Sequence, residues 1–181
     1  MADLTLEERY ARAVVTPSDI SEHLPTFLAL VESLDAKTVI ELGTRSGVST
    51  VAWLYALVDR GTLWSVDIDE RPNIGEHRHW VYLQGDDCDP DVLTQLPDST
   101  DIVFLDTSHD YWQTAKELSV YRWLVRPGGV IVCHDTELAH PLDTTGPAYP
   151  VKRAITEFCA AEGLTWENDP KCWGLGTIHV G

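Results

Sequence analysis

The sequence predicts an α/β protein with a doubly wound, mostly parallel sheet, and three observations lead to this fold class. Five short apolar segments are continuous and rich in β-branched or aromatic residues, which is typical of strands buried on both faces. Segments with helical spacing lie between them, so strand and helix alternate along the chain. The 181 residues are enough for one domain, 1–181, with a core of ordinary size.

Each predicted element follows from its local pattern. The strands are 38–42, 63–68, 80–83, 102–105 and 130–133. The helices are 17–34, 49–59, part of 90–95, 111–124 and about 151–162. Thr16 is expected to cap the first helix and Pro17 to occupy its first turn, while Pro25 can divide it. The last residues, 164–166 and 175–180, are expected to close the sheet as an antiparallel hairpin.

Two further segments are expected to flank a ligand site rather than build the sheet. Residues 1–35 are interpreted as an N-terminal helical cover. Residues 136–150 contain three prolines and a glycine, which favours a long substrate-side loop. Its residues Glu137, His140 and Tyr149 can line a substrate pocket or simply belong to the loop.

The aromatic residues at helical spacing are expected to pack on the sheet: Trp112, Tyr121 and Trp123.

The charge of the chain limits its partners. Thirteen Lys and Arg against 29 Asp and Glu give a formal net charge of −16, which repels nucleic-acid phosphates and anionic lipid surfaces. No apolar run is long enough to cross a bilayer, and the start of the chain is acidic rather than leader-like. The four cysteines are widely spaced and expected to be reduced. These patterns favour a cytoplasmic protein with a small-molecule partner, with no nucleic acid or membrane partner, and a homo-oligomer is left open.

A glycine-rich turn between the first strand and the next helix predicts a nucleoside site. Gly43 and Gly47 allow a tight bend and a close approach to a ligand. A dinucleotide-binding turn would have its first glycine at the position of Glu41, where a carboxylate repels pyrophosphate and attracts an amino group. S-adenosylmethionine fits that requirement. Asp67, after the second strand, has the spacing of a ribose ligand, and Asp86, after the third, can accept from an adenine amino group.

These motifs together resemble those of the class I S-adenosylmethionine-dependent methyltransferases. They run in order from Glu41-Leu42-Gly43 and Gly47 through Asp67 and Gly85-Asp86 to Arg126-Pro127-Gly128-Gly129. The resemblance implies a Rossmann-like sheet of seven strands in the order 3-2-1-4-5-7-6, with strand 7 antiparallel. It also implies that the donor contacts Glu41, Gly43, Thr44, Gly47, Asp67, Asp86 and Asp106.

Ligand and base groups follow strands 4 and 5, whose carboxyl ends are neighbours in such a sheet. Asp106 and Asp135 can share a divalent cation such as Mg²⁺ or Mn²⁺, and His134 can join them or hydrogen-bond to them. Because an imidazole also suits Fe²⁺ or Zn²⁺, the identity of the metal is left open. His109 has an ordinary pKa near ~6.5 and can take a proton from an acceptor hydroxyl.

This cluster resembles the one in metal-dependent sugar and macrolide O-methyltransferases, in which an Asp-x-x-His after strand 4 supplies a metal ligand and the base. Asp106 and His109 match that pattern, Asp135 matches a strand-5 ligand, and His134 stands where those enzymes have an acidic ligand. The same strand-end pattern also resembles that of a wider group of methyltransferase-like proteins, which are classed together with cephalosporin hydroxylases. Structural roles are the alternative: Asp106 can cap a helix, and His134 and Asp135 can form a loop hydrogen-bond pair.

Two classes of function are therefore predicted. The first is an S-adenosylmethionine-dependent O-methyltransferase that acts on a small hydroxylated, sugar-like or natural-product-like acceptor, with His109, Asp106 and Asp135 as catalytic residues. The second is a non-catalytic S-adenosylmethionine-binding module that acts with a partner protein, because the short chain has little room for a substrate-capping domain. An NAD-dependent oxidoreductase is opposed by Glu41.

Overall fold

The computed structural model describes residues 4–139 and 148–181, and its centre is a seven-stranded sheet. The strand order is 3-2-1-4-5-7-6, and β7 runs antiparallel to both β5 and β6, as expected. The strands are β1 (Thr38–Leu42), β2 (Thr62–Asp67), β3 (Trp80–Gln84), β4 (Thr100–Leu105), β5 (Val125–His134), β6 (Thr165–Asp169) and β7 (Leu175–His179).

Six α-helices and a short 3₁₀ turn, Ser21–His23, are found in the described part of the chain. The helices are α1 (Leu6–Val15), α2 (Leu24–Ser33), α3 (Val48–Ala56), α4 (Pro90–Leu93), α5 (Tyr111–Tyr121) and α6 (Pro150–Glu162). None of them is both long and apolar enough to span a bilayer.

The first layer of the core lies between the sheet and helices α2 and α3. Phe27 of α2 stacks on Trp53 of α3 at a centroid distance of 4.1 Å, and Phe104 of β4 packs against both rings. Such aromatic contacts add to the large apolar area that these rings remove from water. Helix α1 lies farther out, where Tyr10 stacks on Tyr55 of α3 and none of its residues is buried.

The second layer is formed by α5 and α6 on the opposite face of the sheet. Successive strand side chains point to opposite faces, so Val39 packs in the first layer and Ile40 in the second. Leu118 of α5 and Ile155 of α6 are fully buried in the second layer. Strand alternation therefore fixes which residues of β1 can face each layer.

The start of the second helix differs from the prediction. Thr16 does not cap a helix that begins at Pro17, because it ends α1 and its N–H donates to Arg12 O. Helix α1 begins instead at a capping box formed by Thr5 and Glu8. Pro25 lies in the first turn of α2, where its missing N–H is tolerated. Pro17 therefore lies in the irregular link between α1 and α2, and Pro25 lies at the start of α2.

Two of the three aromatic residues assigned to the core are on the surface. Trp112 is 76% exposed and Trp123 is 77% exposed, whereas Tyr121 is fully buried. The face of α5 that meets the sheet carries Thr114, Glu117, Leu118 and Tyr121. Trp112 is on another face of α5, and Trp123 follows the end of the helix, so the prediction was wrong for both. The four cysteines are free thiols, as expected.

Candidate active site

A cavity of about 460 Å³ opens at the carboxyl ends of the parallel strands. The turns after β1, β2, β3 and β4 form its wall, and Asp135 closes it at the end of β5. This is where open α/β sheets bind their ligands. Of residues 4–35, only Asp19 lines this cavity. The proposed loop 136–150 falls largely outside the described residues, as does His140.

Gly43 brings the first turn close to the end of β4. Its φ is +83°, a left-handed conformation that side chains rarely adopt. A Cβ atom at this position would lie 2.0 Å from the carbonyl oxygen of Asp106. Of the residues predicted to contact the donor, Gly43, Thr44, Asp67, Asp86 and Asp106 line the cavity. Gly47 instead lines a neighbouring cavity of about 280 Å³ beside α1.

Replacing Gly43 with Ala is expected to disrupt the end of β4. The methyl group would overlap the Asp106 backbone, and the left-handed conformation would be strained as well, so we expect a loss of about 2 kcal/mol or more. Thermal unfolding measures this effect, with Gly75→Ala as the control because it has similar φ (+93°) but an unobstructed Cβ position. Equal losses in the two variants would show that close packing at Gly43 is unimportant.

Asp67 holds the glycine turn in place. Its Oδ2 accepts from Thr44 N at 2.6 Å, Thr44 Oγ1 at 2.9 Å and Arg45 N at 3.0 Å, and its Oδ1 accepts from Asp69 N at 3.0 Å. Partial burial raises the pKa of Asp67, but these hydrogen bonds outweigh it and the net pKa is lowered. An ionised carboxylate thus lines the cavity where the sequence predicts a ribose ligand.

Glu41 does not line the cavity, contrary to its predicted contact with the donor amino group. Strand alternation directs it to the side of α3, where it is fully buried. Three hydroxyl groups donate to its carboxyl oxygens: those of Ser49 at 2.7 Å, Thr50 at 2.9 Å and Ser65 at 2.6 Å. Burial raises the pKa of Glu41 to about 7. In this geometry Glu41 ties β1 to β2 and α3.

The sequence analysis missed a second buried acid, Glu117 on α5. Its Oε1 accepts from Thr107 Oγ1 at 2.7 Å and from Gln113 Nε2 at 2.8 Å. The same Gln113 nitrogen donates to Asp87 Oδ1 at 3.1 Å. Glu117 Oε2 is buried without a partner among the described residues. Burial and the nearby Asp87 raise the pKa of Glu117, so this carboxyl tends to keep its proton.

Replacing Glu117 with Gln is expected to change the pH dependence of stability. The folded pKa of Glu117 lies above the ordinary value of 4.5, so above about pH 4.5 the folded chain holds a proton that the unfolded chain releases. Its contribution to the free energy of unfolding therefore falls as pH rises. The variant lacks this loss, so its melting temperature should gain on the wild type from about pH 5 to about pH 8.

The control for this measurement is Glu162→Gln, the same change at an exposed position at the end of α6. Melting curves of the wild type and both variants at each pH give the comparison. If the melting temperatures of the wild type and Glu117→Gln changed by the same amount with pH, Glu117 would be ionised in the folded protein throughout this range.

The structure brings together three acidic or imidazole groups that the sequence placed after strands 4 and 5. His109 Nε2 lies 2.8 Å from Asp135 Oδ2 and 3.3 Å from Asp106 Oδ1. Burial lowers the pKa of His109, but its hydrogen bonds with Asp106 and Asp135 outweigh this and raise it to about 9. His109 and Asp135 have φ values of +57° and +63°, so both hold left-handed conformations that are uncommon for such residues.

His134 completes the cluster from β5, although it does not line the cavity itself. Its Nε2 lies 3.1 Å from Asp19 O and 3.0 Å from Cys172 O, and its Nδ1 lies 3.1 Å from Asp135 Oδ2 and 3.3 Å from Asp106 Oδ1. Since carbonyl oxygens only accept, Nε2 carries a proton. Burial lowers the pKa of His134, but the two carboxylates outweigh it and raise this pKa to about 10.

A buried histidine, His23, supports this arrangement and was missed by the sequence analysis. Its Nε2 donates to Lys171 O at 2.7 Å, and its ring meets that of His134 edge to face at 5.9 Å. The turn between β6 and β7 therefore provides carbonyl acceptors to both imidazoles, from Lys171 and Cys172. Cys172 and Trp173 have φ values of +40° and +67° in this turn.

Two other predicted pocket residues have different surroundings. The Glu137 carboxylate accepts from Asn168 Nδ2 at 2.7 Å and pairs with Lys152, so it links the end of β5 to β6 and α6. Tyr149 is 43% exposed and precedes α6. Neither residue lines the cavity.

Three comparisons relate the chain to known proteins. A family model described as "Methyltransferase domain" matches residues 40–136. A protein of Dictyostelium discoideum named "Probable caffeoyl-CoA O-methyltransferase 3" is 28% identical over 117 residues. That match covers 58% of this chain and 46% of the relative, so the chain spans about half of the relative's length.

Solved structures share the fold. The O-methyltransferase from Bacillus cereus in complex with SAH has a TM-score of 0.71 at 20% identity, covering 100% of this chain and 92% of that one. MycE methyltransferase from the mycinamycin biosynthetic pathway, in complex with Mg and SAH, also has a TM-score of 0.71, at 18% identity. The likeness covers 99% of this chain and 55% of MycE. These identities support a shared fold.

The family match includes the strands and turns that build the cavity, from β1 to the residue after Asp135. It covers 97 of the 181 residues, more than half of the chain. The strand order of the sheet is the one that the sequence motifs imply. The chain therefore belongs to the methyltransferase-domain family of the class I S-adenosylmethionine-dependent methyltransferases.

Proposed function

We propose that the chain is an O-methyltransferase that moves a methyl group from S-adenosylmethionine to a small hydroxylated acceptor. The observation that carries this proposal is the continuity of the cavity with the cluster of Asp106, His109 and Asp135. A donor site and a proton-accepting group thus share one wall. A sugar-like or natural-product-like hydroxyl compound is the acceptor class that we favour.

In this proposal the donor lies along the turns after β1, β2 and β3. Gly43 and Thr44 allow a close approach of the backbone, Asp67 accepts from the ribose hydroxyls, and Asp86 accepts from the adenine amino group. Asp67 already accepts three hydrogen bonds from the glycine turn and a fourth from Asp69 N, so its carboxylate is oriented before the donor arrives. Glu41 acts behind this surface by fixing β1 to α3.

Asp106, His134 and Asp135 have the chemistry of a divalent-cation site, for Mg²⁺ or Mn²⁺. Their candidate ligand atoms all lie within 4.8 Å of one another. Two buried atoms that lack hydrogen-bond partners among the described residues, His134 Nδ1 and Asp135 Oδ1, belong to the same group. Nε2 of His134 keeps the proton that it donates to the carbonyl oxygens, and a bound cation would displace the second imidazolium proton from Nδ1, so that Nδ1 presents its lone pair. When bound, such a cation lowers the pKa of an acceptor hydroxyl and orients it.

His109 is the general base of the proposed reaction. Because its Nε2–H donates to Asp135, Nδ1 of the neutral imidazole accepts the hydroxyl proton while the oxygen attacks the methyl carbon. The carbon–oxygen bond forms, the carbon–sulfur bond breaks, and S-adenosylhomocysteine leaves as a neutral thioether. Asp135 stabilises the resulting imidazolium, and its 2.8 Å contact with His109 also orients the ring. The negative charges of Asp106 and Asp135 raise the pKa of His109. A cation bound to these carboxylates would offset part of their charge and so lower the pKa of His109 towards 7.

The test of this proposal begins with thermal shifts for S-adenosylmethionine, S-adenosylhomocysteine and NAD. A ligand at 100 times its Kd adds about 2.7 kcal/mol, which is roughly 5 to 10 °C for a domain of this size. We expect this shift with both adenosyl ligands and none with NAD. A panel of sugar and phenol acceptors, with chelator or Mg²⁺, then reports release of S-adenosylhomocysteine. Donor binding without release for any acceptor would favour the non-catalytic module instead.

A further inference from the structure

The cavity carries an excess of negative charge that bears on the nature of the acceptor. Seven of its fifteen described lining residues are aspartates, and only one, Arg45, is a lysine or arginine. Asp19 is one of the seven, and the others are Asp67, Asp69, Asp86, Asp87, Asp106 and Asp135. Low-dielectric walls focus the field of such like charges in a cleft.

Positive side chains offset only part of this charge: Lys116 acts on Asp87, and His109 contacts Asp106 and Asp135. Arg45 Nη1 is 2.7 Å from Asp19 Oδ2, so the one cavity arginine is already paired with one of the seven aspartates. Six other lysines and arginines pair with acidic residues outside the cavity. These pairs are Lys37 with Asp35, Arg71 with Glu76, Arg78 with Asp59, Arg126 with Asp101, Lys152 with Glu137, and Arg153 with Glu157.

Burial strengthens the effect on the side of the cavity near β5. Asp135 is 2% exposed, and its Oδ1 has no partner among the described residues. Water screens a charge at such a position far less than one at the surface. A buried carboxylate oxygen without a donor favours a cation or a hydrogen-bond donor beside it and disfavours an anion.

The donor and cation of the proposed function compensate this charge only in part. S-adenosylmethionine carries one net positive charge and the cation carries two. The charges of Arg45, a protonated His109, the donor and the cation together are still smaller than that of the seven aspartates, so the loaded cavity keeps a negative balance. The formal net charge of −16 for the whole chain acts in the same direction.

We propose, on the basis of the function proposed above, that the acceptor is a neutral or cationic hydroxyl compound. Acceptors with several negative charges, such as coenzyme A thioesters and sugar phosphates, are disfavoured because their phosphates meet carboxylates rather than basic groups. Binding of such phosphates draws on arginines and lysines, and the only one of these in the described cavity wall is paired with Asp19. In this respect the chain differs from what the name of its Dictyostelium relative specifies.

The first test measures the charge of the cavity without requiring methyl transfer. Ser108→Cys places a thiol on the cavity wall, and Ser99→Cys places a control thiol at the opposite end of β4. Both are made in a background with Cys88 and Cys172 replaced by Ser, because these two thiols are only half-buried and could react with the reagents themselves. Each variant reacts with a cationic and an anionic methanethiosulfonate reagent, with S-adenosylhomocysteine and Mg²⁺ present and absent. Taking the ratio of the two rates cancels differences in thiol pKa.

We expect the cationic-to-anionic rate ratio to be about tenfold higher or more at residue 108 than at residue 99. The difference should shrink at high salt. Equal ratios at the two positions would overturn the proposal, whether or not the chain methylates anything.

The second test uses acceptors that differ only in charge. Catechols with a carboxylate, a hydroxymethyl or an aminomethyl group at one ring position are compared, together with a catechol thioester of coenzyme A and its neutral truncated analogue. We expect the neutral and cationic compounds to have at least tenfold higher kcat/KM than their anionic counterparts. Comparable turnover of the coenzyme A thioester would contradict the proposal. A high rate ratio at residue 108 with no turnover would mean that the transferase function fails while the charge selection stands.

Discussion

Asp135→Asn is expected to lower the affinity for a divalent cation by about 10²-fold or more and to remove methyl transfer with it. Asp135 is 2% exposed, lies 2.8 Å from His109 Nε2 and 3.1 Å from His134 Nδ1, and is one of three grouped candidate ligands. Removing one partner from a buried charge cluster costs about 3 kcal/mol or more, which corresponds to this change in affinity. Calorimetric titration of Mn²⁺ into protein loaded with S-adenosylhomocysteine measures it.

Asp69→Asn is the matched control for this experiment. Asp69 lines the same cavity, so the variant removes the same charge without altering the cluster at β4 and β5. Its cation affinity should stay within a few-fold of the wild type. Both variants should still bind S-adenosylhomocysteine, because the glycine turn is held by Asp67. Equal losses in the two variants would show that overall charge, and not ligation by Asp135, governs cation binding.

The cluster is held in place by segments that are far apart in sequence. Asp19 precedes the 3₁₀ turn and Cys172 lies between β6 and β7, yet their carbonyl oxygens meet at one nitrogen of His134. These acceptors fix the tautomer of His134 and the direction of its ring. The position of the His134 ring therefore depends on two backbone carbonyl groups, and no pattern of residue types in the sequence specifies these contacts.

The sheet was predictable because its strands are short apolar runs that leave little alternative to burial. All five predicted parallel strands are present, and the closing hairpin is β6 and β7. The error near residue 16 arose because two nearby segments both carry the pattern of a helix start. Thr16 and Pro17 satisfy the pattern of a helix start, but the capping box at Thr5 begins an earlier helix that ends there. The exposed Trp112, on α5, and Trp123, just beyond its end, show that aromatic residues at helical spacing need not face the sheet.

The site was predictable where strand ends determine position and unpredictable where side-chain direction matters. Asp106, His109 and Asp135 follow neighbouring strands, so sheet topology alone brings them together. Glu41 lies at the correct strand end, but alternation along β1 turns its side chain towards α3. Glu117 had a signal that was not used, since it shares one helix face with Leu118 and Tyr121. His23 had none, because its hydrogen-bond acceptor, Lys171, lies 148 residues away.

His109→Asn is expected to reduce kcat by about 10²- to 10⁴-fold while the KM values for donor and acceptor change little. This range is the usual contribution of a general base, and Asn cannot accept the hydroxyl proton. Asn is preferred to Gln or Ala because residue 109 has a φ of +57°, a conformation that Asn tolerates well. The variant should therefore fold and keep the contacts of the surrounding turn. Steady-state kinetics with each substrate varied in turn separates kcat from KM.

The control is His79→Asn, which makes the same chemical change at a half-buried position outside the main cavity. Its kcat should match that of the wild type. Cation titration of His109→Asn separates the two roles open to His109, because Asp106, His134 and Asp135 keep all their candidate ligand atoms in this variant. Normal cation affinity with a low kcat identifies a proton acceptor. A parallel loss of both would show that His109 acts by ordering the carboxylates, and an unchanged kcat would remove it from the mechanism.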